Sequence, residues 1–281
     1  MLSVAYIVKN EEAILEKSLE SVKSVDEIII VDTGSTDKTV KIAEKYGKVY
    51  TDYNWNDDFA EARNYALNRC HGDWILIMDA DHYCPKGFIE RVKQELNDMG
   101  DFTSLECKLV WEGNPNCSHK LPIVIKKGIQ FIGKIHEYVI TNKKPTSLYV
   151  TYGKSPTHDT DPDRNLRILL TDTDNPRSMF YLAHEYQDRK DWTNAIKWYK
   201  KYLKVGTWRY ELADANLSLA RCLWNLSRGD EARQACLQAI LGNPNFKEAF
   251  NLMSEMSWNK EAMVWRRFAE VTTNEDVLFV R

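Results

Sequence analysis

Two carboxylates and an imidazole, Asp79, Asp81 and His82, stand within four positions of the stretch GDWILIMDADHYCP, residues 72–85. They follow Trp74-Ile75-Leu76-Ile77-Met78, a continuous apolar run of the kind that forms a strand buried on both faces. Carboxylates that close such a strand are costly unless a cation neutralises them. Hard oxygen ligands suit Mg2+ or Mn2+, and either ion would bridge phosphate oxygens. Asp81 is the preferred direct ligand, with Asp79 positioning a ribose or acting through water. An Asp-x-Asp pair occurs by chance in many chains, and two solvated loop carboxylates are the alternative reading.

The elements that must position these groups alternate strand and helix up to about residue 100. Leu2 to Val8 is an apolar run, and Ile14, Leu15, Leu19 and Val22 then recur at helical spacing. Asn10 is placed to cap that helix, with Glu11 and Glu12 in its first turn. Glu27 to Val31 forms a second strand, and Asp32-Thr33-Gly34-Ser35-Thr36-Asp37 is turn chemistry leading into another helix. A short strand at Lys48 to Thr51 and an amphipathic helix from Asp58 to Asn68 precede the run at Trp74. Strands alternating with helices predict a parallel sheet covered on both faces, with ligands outside the carboxyl ends of its strands. Asp32, Asp79 and Asp81 would then share one rim.

From about 103 to 152 the helical signal fades. Ser104 to Val110, Pro122 to Ile125, Ile129 to Ile132, Tyr138 to Thr141 and Leu148 to Tyr152 read as an antiparallel extension of the sheet. A helix is expected to begin near Asp163-Arg164. Beyond 176 the chain reads as helical, and an internal repeat emerges. Leu182, Ala183, Tyr186, Ala195, Tyr199 and Tyr202 align with Leu219, Ala220, Leu223, Ala232, Cys236 and Ala239 at an offset of 37 residues. Small residues at close helix crossings and large ones between them suit stacked helix pairs of the tetratricopeptide kind. Phe250, Met253, Ala262 and Ala269 offer a shortened third unit; a generic helical bundle is the alternative.

Composition narrows the class. The 281 residues are 43% hydrophobic and 28% charged with a formal net charge of −3, which describes an ordinary globular protein with no dominant attraction to nucleic acid. The N-terminal apolar run is too short for a signal peptide, and no stretch approaches the ~20 apolar residues of a membrane span. Six cysteines without a Cys-x-x-Cys pair read as free thiols of a cytoplasmic protein.

Four blocks in order, MLSVAYIVKNEEAILEKSLESV, VDEIIIVDTGSTDKTVKIAEKY, WNDDFAEARNYAL and GDWILIMDADH, resemble the nucleotide-sugar-binding half of family-two glycosyltransferases of the GT-A fold. The similarity extends to GKIHE at 133–137, to Thr157-His158 and to the subgroup carrying C-terminal tetratricopeptide repeats. It implies an α/β GT-A domain with a mixed sheet at 1–160, a linker at 161–175 and all-α repeats at 176–281. It also implies a metal-dependent, inverting transferase that moves a sugar from a nucleotide diphosphate, UDP-linked by preference.

Carried over residue by residue, the segment Ile7 to Glu11, with Val8 and Asn10, would line base and ribose. Asp32 would accept a hydrogen bond from a uracil ring N–H, or serve only as an Asx turn. Arg63 would reach the nucleotide, or instead pair with Asp79. Asp81 and His158 would hold Mn2+ or Mg2+, and Glu137 would deprotonate the acceptor, with His136 orienting it or acting as the base. Packing and pairing at a strand start is the alternative for His136 and Glu137.

Two departures stand out. His82 takes the place of a Glu in the subgroup's Asp-Ala-Asp-Glu, and could face the donor sugar, the acceptor or solvent; LPIVIKKGIQF replaces an arginine-bearing block. The sequence does not name the acceptor: a peptide or protein suits a repeat groove, and a polysaccharide or other glycan, a lipid-linked or a modified-nucleic-acid acceptor stays open. The repeats either bind it or join copies into a homo-oligomer through exposed tryptophans such as Trp208 and Trp258. The competing function is an inactive, transferase-like scaffold that works through its repeats.

Overall fold

The computed structural model describes residues 1–98, 100–153, 155 and 161–273, with backbone alone at 115–117. The chain divides into two compact units, Met1–Pro162 and Asp163–Arg281.

In the first unit, β1 (Leu2–Val8), β2 (Glu27–Asp32), β3 (Lys48–Tyr50) and β4 (Trp74–Met78) are parallel and lie in the order β3-β2-β1-β4. Period-two geometry turns each apolar run into two cores. Leu2, Val4, Tyr6, Val8, Ile28, Ile30, Leu76 and Met78 pack on one face with α1 (Leu15–Val22) and α4 (Phe88–Leu96). Ala5, Ile29, Val31 and Ile75 pack on the other with Ala62, Ala66 and Leu67 of α3 (Phe59–Leu67). α2 (Thr39–Ala43) leads into β3 through Gly47, where an added Cβ would stand 2.4 Å from the Ile28 carbonyl, so only glycine fits.

Beyond β4 the sheet is mixed. Among the described residues it continues with β7 (Asn114–Lys126), β6 (Ser104–Trp111), β8 (Lys143–Tyr152) and β5 (His82–Tyr83). β6 and β7 form a hairpin about Gly113, whose φ of 80° fits glycine. β8 runs parallel to β6 and antiparallel to the short β5.

The extension differs from its sequence reading. Ile129–Ile132 and Tyr138–Thr141 do not form strands; a single antiparallel bridge joins Ile132 and Tyr138. The reason is partly local and partly tertiary: Gly133 and His136 have φ of 93° and 52°, and the Asn64 side chain, 67 residues away, takes both the N–H and the C=O of Phe131 that a ladder would use.

The second unit is helical. α5 (Arg164–Leu170) precedes three consecutive helix pairs: α6 (Pro176–Asp188) with α7 (Trp192–Tyr202), α8 (Arg209–Asn225) with α9 (Gly229–Gly242), and α10 (Lys247–Glu255) with α11 (Asn259–Val271). Leu182, Ala183, Ala195, Tyr199 and Tyr202, and their counterparts Leu219, Ala220, Ala232, Cys236 and Ala239, are all buried; Leu223 is buried too, whereas its counterpart Tyr186 is half-buried. Within the first two pairs the chain reverses at Lys190 and Ser227, both left-handed at φ 60° and 59°, a matching step of the repeat. The α/β domain with a mixed sheet and the helical region after it are thus the fold that the sequence implied.

Candidate functional site

Strand register assembles the rim. Val8 of β1 lies beside Asp32 of β2, while Tyr6 lies beside Met78 of β4, which puts Asp79 one residue past the sheet on the other side of β1. Chain order reverses between β1 and β4, and ligands of open α/β sheets bind at that crevice.

On the β2 side the loops are tied by side chains. Asn10 has φ 55° and does not cap α1, which starts at Leu15 with no side-chain cap. Instead its Oδ1 accepts from the Thr36 N–H at 2.7 Å, and its own N–H donates to Ser35 Oγ at 2.9 Å. A cross-loop bond competes with a local cap and wins here because Asn tolerates the left-handed backbone. Val8 faces the core, and its carbonyl accepts from the Thr33 N–H and hydroxyl. Asp32 is 5% exposed; its Oδ2 accepts from the N–H groups of Gly34 and Ser35 at 3.0 and 2.9 Å. The Asx turn is therefore real, yet it uses one oxygen. Oδ1 is buried with no hydrogen-bond partner among the described residues.

On the β4 side, α3 presents two working residues from Glu61-Ala62-Arg63-Asn64. Asp58 caps the helix by accepting from the Glu61 N–H at 2.8 Å, and the Phe59 N–H donates to the Lys134 carbonyl, fixing the 131–138 loop to the helix start. Asn64, absent from the sequence-derived site, clips the same loop at Phe131. Arg63 is mostly enclosed, its side chain 13% exposed, and donates to Asp79 Oδ1 at 2.9 Å and to Glu137 Oε1 at 2.6 Å. Burial alone would lower its pKa; the charges of Asp79 and Glu137 outweigh that and raise it, so it is a fixed cation. Of its two sequence readings, the pairing with Asp79 is present, with Glu137 as a second partner. The left-handed His136 lies immediately before Glu137 in the turn that brings this carboxylate to Arg63.

Asp81 is buried, its side chain 4% exposed, and its carbonyl accepts from the Gly153 N–H at 2.7 Å. His82 does not point outward: its side chain is 13% exposed and lies between the two carboxylates. Nδ1 is 3.4 Å from the Asp79 N–H, which makes it the acceptor, so a neutral ring carries its proton on Nε2, 3.9 Å from Asp81 Oδ1. Tyr152, paired with His82 across β5 and β8, meets its ring edge-on at 6.0 Å. Nothing in the local sequence marks that pairing, because its partners are far apart in the chain.

Among the described residues, no three His, Cys, Asp or Glu side chains converge to hold a metal. The carboxylates present fit a divalent ion only where substrate phosphates supply the other ligands, the usual arrangement for Mg2+. His158 lies outside the described residues. A cleft of about 510 Å3 lined by Lys17, Tyr83, Lys86 and Phe88 contains none of the rim carboxylates. No helix of the described residues is long and apolar enough to cross a membrane.

The parallel half-sheet, its crevice and its mixed extension make an α/β domain of the GT-A class. Residues 3–141, most of the first unit, match the profile described as glycosyl transferase family 2, and through this unit the chain belongs to that family. It is 47% identical over 81 residues to a TPR repeat-containing protein of Synechococcus elongatus, covering 28% of this chain and 20% of the relative. It is 27% identical over 225 residues to the SPbeta prophage-derived glycosyltransferase SunS of Bacillus subtilis, covering 71% of this chain and 52% of the relative. The chain thus spans from a fifth to about half the length of the curated relatives it matches. Among solved structures, S. aureus TarS 1-349 in complex with UDP-GlcNAc aligns over 95% of this chain and 88% of that one, with 17% identity and a TM-score of 0.48. That likeness is too loose to transfer ligands or residue roles.

Proposed function

We propose that the first unit transfers a sugar from a nucleoside diphosphate donor, a UDP-sugar by preference, to a peptide, protein or glycan acceptor with inversion. The observation that carries this reading is Asp32. A buried carboxylate with one oxygen held by two backbone N–H groups and the other unpartnered costs about 1–3 kcal/mol unless a ligand donor reaches it. A uracil ring N–H, entering over the ends of β1 and β2, supplies that donor, with Val8 and Asn10 shaping the floor beside it.

Asp79, oriented by Arg63, holds the ribose, and Asp81 would hold Mn2+ or Mg2+ against the diphosphate, with His158 a further candidate ligand. When bound, that ion supplies electrostatic stabilisation of the departing diphosphate. Glu137 has Oε1 committed to Arg63, and its Oε2 takes the acceptor proton as the acceptor atom attacks the anomeric carbon and the bond to the diphosphate oxygen breaks. His136 orients the acceptor.

The helical unit, read as tetratricopeptide-like repeats over 176–281, presents a peptide, protein or glycan acceptor or joins two copies of the chain. Trp208 and Trp258, both exposed, suit either contact. Truncation after residue 175 distinguishes the two by transfer to the natural acceptor and by oligomeric state. The test of the transferase reading is to incubate the full chain with Mn2+ and a panel of nucleotide sugars while following release of nucleoside diphosphate. Turnover of one donor, abolished by Asp81→Ala, is expected. If no donor is bound or turned over, and Asp81→Ala changes nothing, the reading fails.

A further inference from the structure

The loop that carries the rim carboxylates rests on a helix. Asp79 to His82 closes a β-turn, with the His82 N–H donating to the Asp79 carbonyl at 3.0 Å. That carbonyl takes a second donor from outside the turn, the Ser18 hydroxyl of α1 at 3.3 Å. A carbonyl can only accept, so the single Ser18 proton is committed there and the Tyr6 hydroxyl donates to Ser18 Oγ, at 2.9 Å. Tyr6 and Ser18 are 0% and 1% exposed. Burial holds the Tyr6 phenol far above its ordinary pKa, which keeps it protonated and a donor.

The far end of the same loop meets α1 about one turn further on. The Cys84 N–H donates to Ser21 Oγ at 2.9 Å, and the Ser21 hydroxyl donates to the Ser18 carbonyl at 2.7 Å. Residues three apart lie on one helix face, so Ser18 and Ser21 grip positions 79 and 84 from a single stripe of α1. Between those points stand Asp81 and His82, with only the two-residue β5 to fix them to the sheet. Serine is a poor choice for a helix interior on propensity alone, and the other buried positions of α1 are Leu15, Leu19 and Val22. The two hydroxyls therefore mark what this helix holds.

We propose that Ser18 and Ser21 are positioning residues of the donor site: by holding both ends of the 79–84 loop against α1, they fix where Asp81 stands for a divalent cation. The proposal rests on the transferase reading for the meaning of Asp81. A ligand carboxylate has to be held within about 0.5 Å by groups that are themselves locked in place. Arg63 orients the Asp79 side chain and Gly153 the Asp81 carbonyl, but the backbone at each end of the loop is set by a serine. Both serines act through the loop rather than on the reacting atoms.

The test uses the full chain with Ser18→Ala, Ser21→Ala and the double variant Tyr6→Phe with Ser18→Ala. The double variant removes the buried Tyr6 hydroxyl that Ser18→Ala deprives of its acceptor, so stability returns while the hold on Asp79 stays lost. Amide hydrogen exchange at His82 and Cys84 is followed without ligand. Calorimetry measures UDP alone and Mn2+ in the presence of UDP, with urea unfolding alongside. Expected is exchange at least tenfold faster at His82 in Ser18→Ala and at Cys84 in Ser21→Ala. Mn2+ affinity should be at least fivefold weaker in all three variants, with UDP alone bound within twofold of the wild type. In the double variant the urea midpoint should move back towards the wild type without the Mn2+ affinity following it. Mn2+ affinity unchanged in the single variants, or restored together with stability in the double one, would overturn the positioning role. Faster exchange in a protein whose wild type binds no nucleotide, with or without Mn2+, sinks the transferase reading and the donor role with it, and leaves the two serines as a clamp on the loop.

Discussion

Replacing Asp32 by asparagine separates the two oxygens of that carboxylate. In the folded protein the oxygen facing Gly34 and Ser35 accepts two N–H groups, at 3.0 and 2.9 Å. In Asp32→Asn the amide oxygen must take this position, since an amide nitrogen there would meet two donors. The NH2 group is therefore forced into the place of Oδ1, the unpartnered atom. A uracil ring N–H arriving there meets a donor instead of an acceptor. An unmet buried donor costs about 1–3 kcal/mol, which corresponds to UDP binding roughly 5- to 150-fold weaker. A cytosine ring presents an acceptor at the same atom, so CDP should lose less than UDP or gain. Fold stability should fall by only about 1 kcal/mol, because two charge-assisted bonds become neutral ones. Calorimetric titration of UDP and CDP into both proteins, with urea unfolding as the control, measures all three quantities. UDP affinity within twofold of the wild type, at preserved stability, would show that Oδ1 does not face the base.

Other consequences follow from the same packing. Arg63→Met leaves Asp79 and Glu137 without their shared cation and should cost about 1–3 kcal/mol in urea unfolding, mostly through the less exposed Glu137; adding Glu137→Gln should recover part of it, and an unchanged stability would contradict the pairing. Gly72→Ala places a Cβ 2.7 Å from the Ser3 nitrogen and hydroxyl and 2.9 Å from the Met1 carbonyl, and should destabilise by about 1–3 kcal/mol. Burial would raise the pKa of Glu27, but hydrogen bonds from Ser3 and His71 overcome it and hold it below the ordinary value. A depressed folded pKa means that its contribution is present above the unfolded value of about 4.3 and is lost as pH falls through the folded one. The stability gap between the wild type and Glu27→Gln should accordingly close on acidification below that pH, and a gap that widens in acid would refute the sign. Burial raises the thiol pKa of Cys107 to about 11 and those of Cys70 and Cys236 to about 12. Cys84 is raised further, and Cys222 is buried. At pH 8 no more than one of the six thiols should react rapidly with an aromatic disulfide reagent in the native protein, against all six in denaturant.

What the sequence disclosed, it disclosed through local period. The runs Leu2 to Val8 and Trp74 to Met78 feed two cores at alternate positions, which only a strand buried on both faces can do. The helical repeat was legible for the same reason: Ala183 and Ala220, or Tyr199 and Cys236, hold equivalent buried places. Legibility ended where partners are distant. Asn10 looks like a helix cap because a cap needs only neighbours, but Ser35 and Thr36 claim it across the loop. The apolar segments at Ile129 to Ile132 and Tyr138 to Thr141 look like strands, but Asn64 of α3 takes the backbone of Phe131 and only one bridge, Ile132 with Tyr138, forms between them. The inward placement of His82 goes with its pairing to Tyr152 across the sheet; the sequence left Arg63 two roles, of which pairing with Asp79 was one, and Glu137 as its second partner belonged to neither.

The most direct measurement is a structure of the full chain bound to UDP and Mn2+. The uracil ring N–H should lie within hydrogen-bond distance of Asp32 Oδ1, with the ribose beside Asp79 and the diphosphate near Asp81, between the ends of β1 and β4. UDP found elsewhere, such as the Lys17–Lys86 cleft, with Asp32 Oδ1 still unmet, would contradict the assignment of this rim as a nucleotide-sugar site.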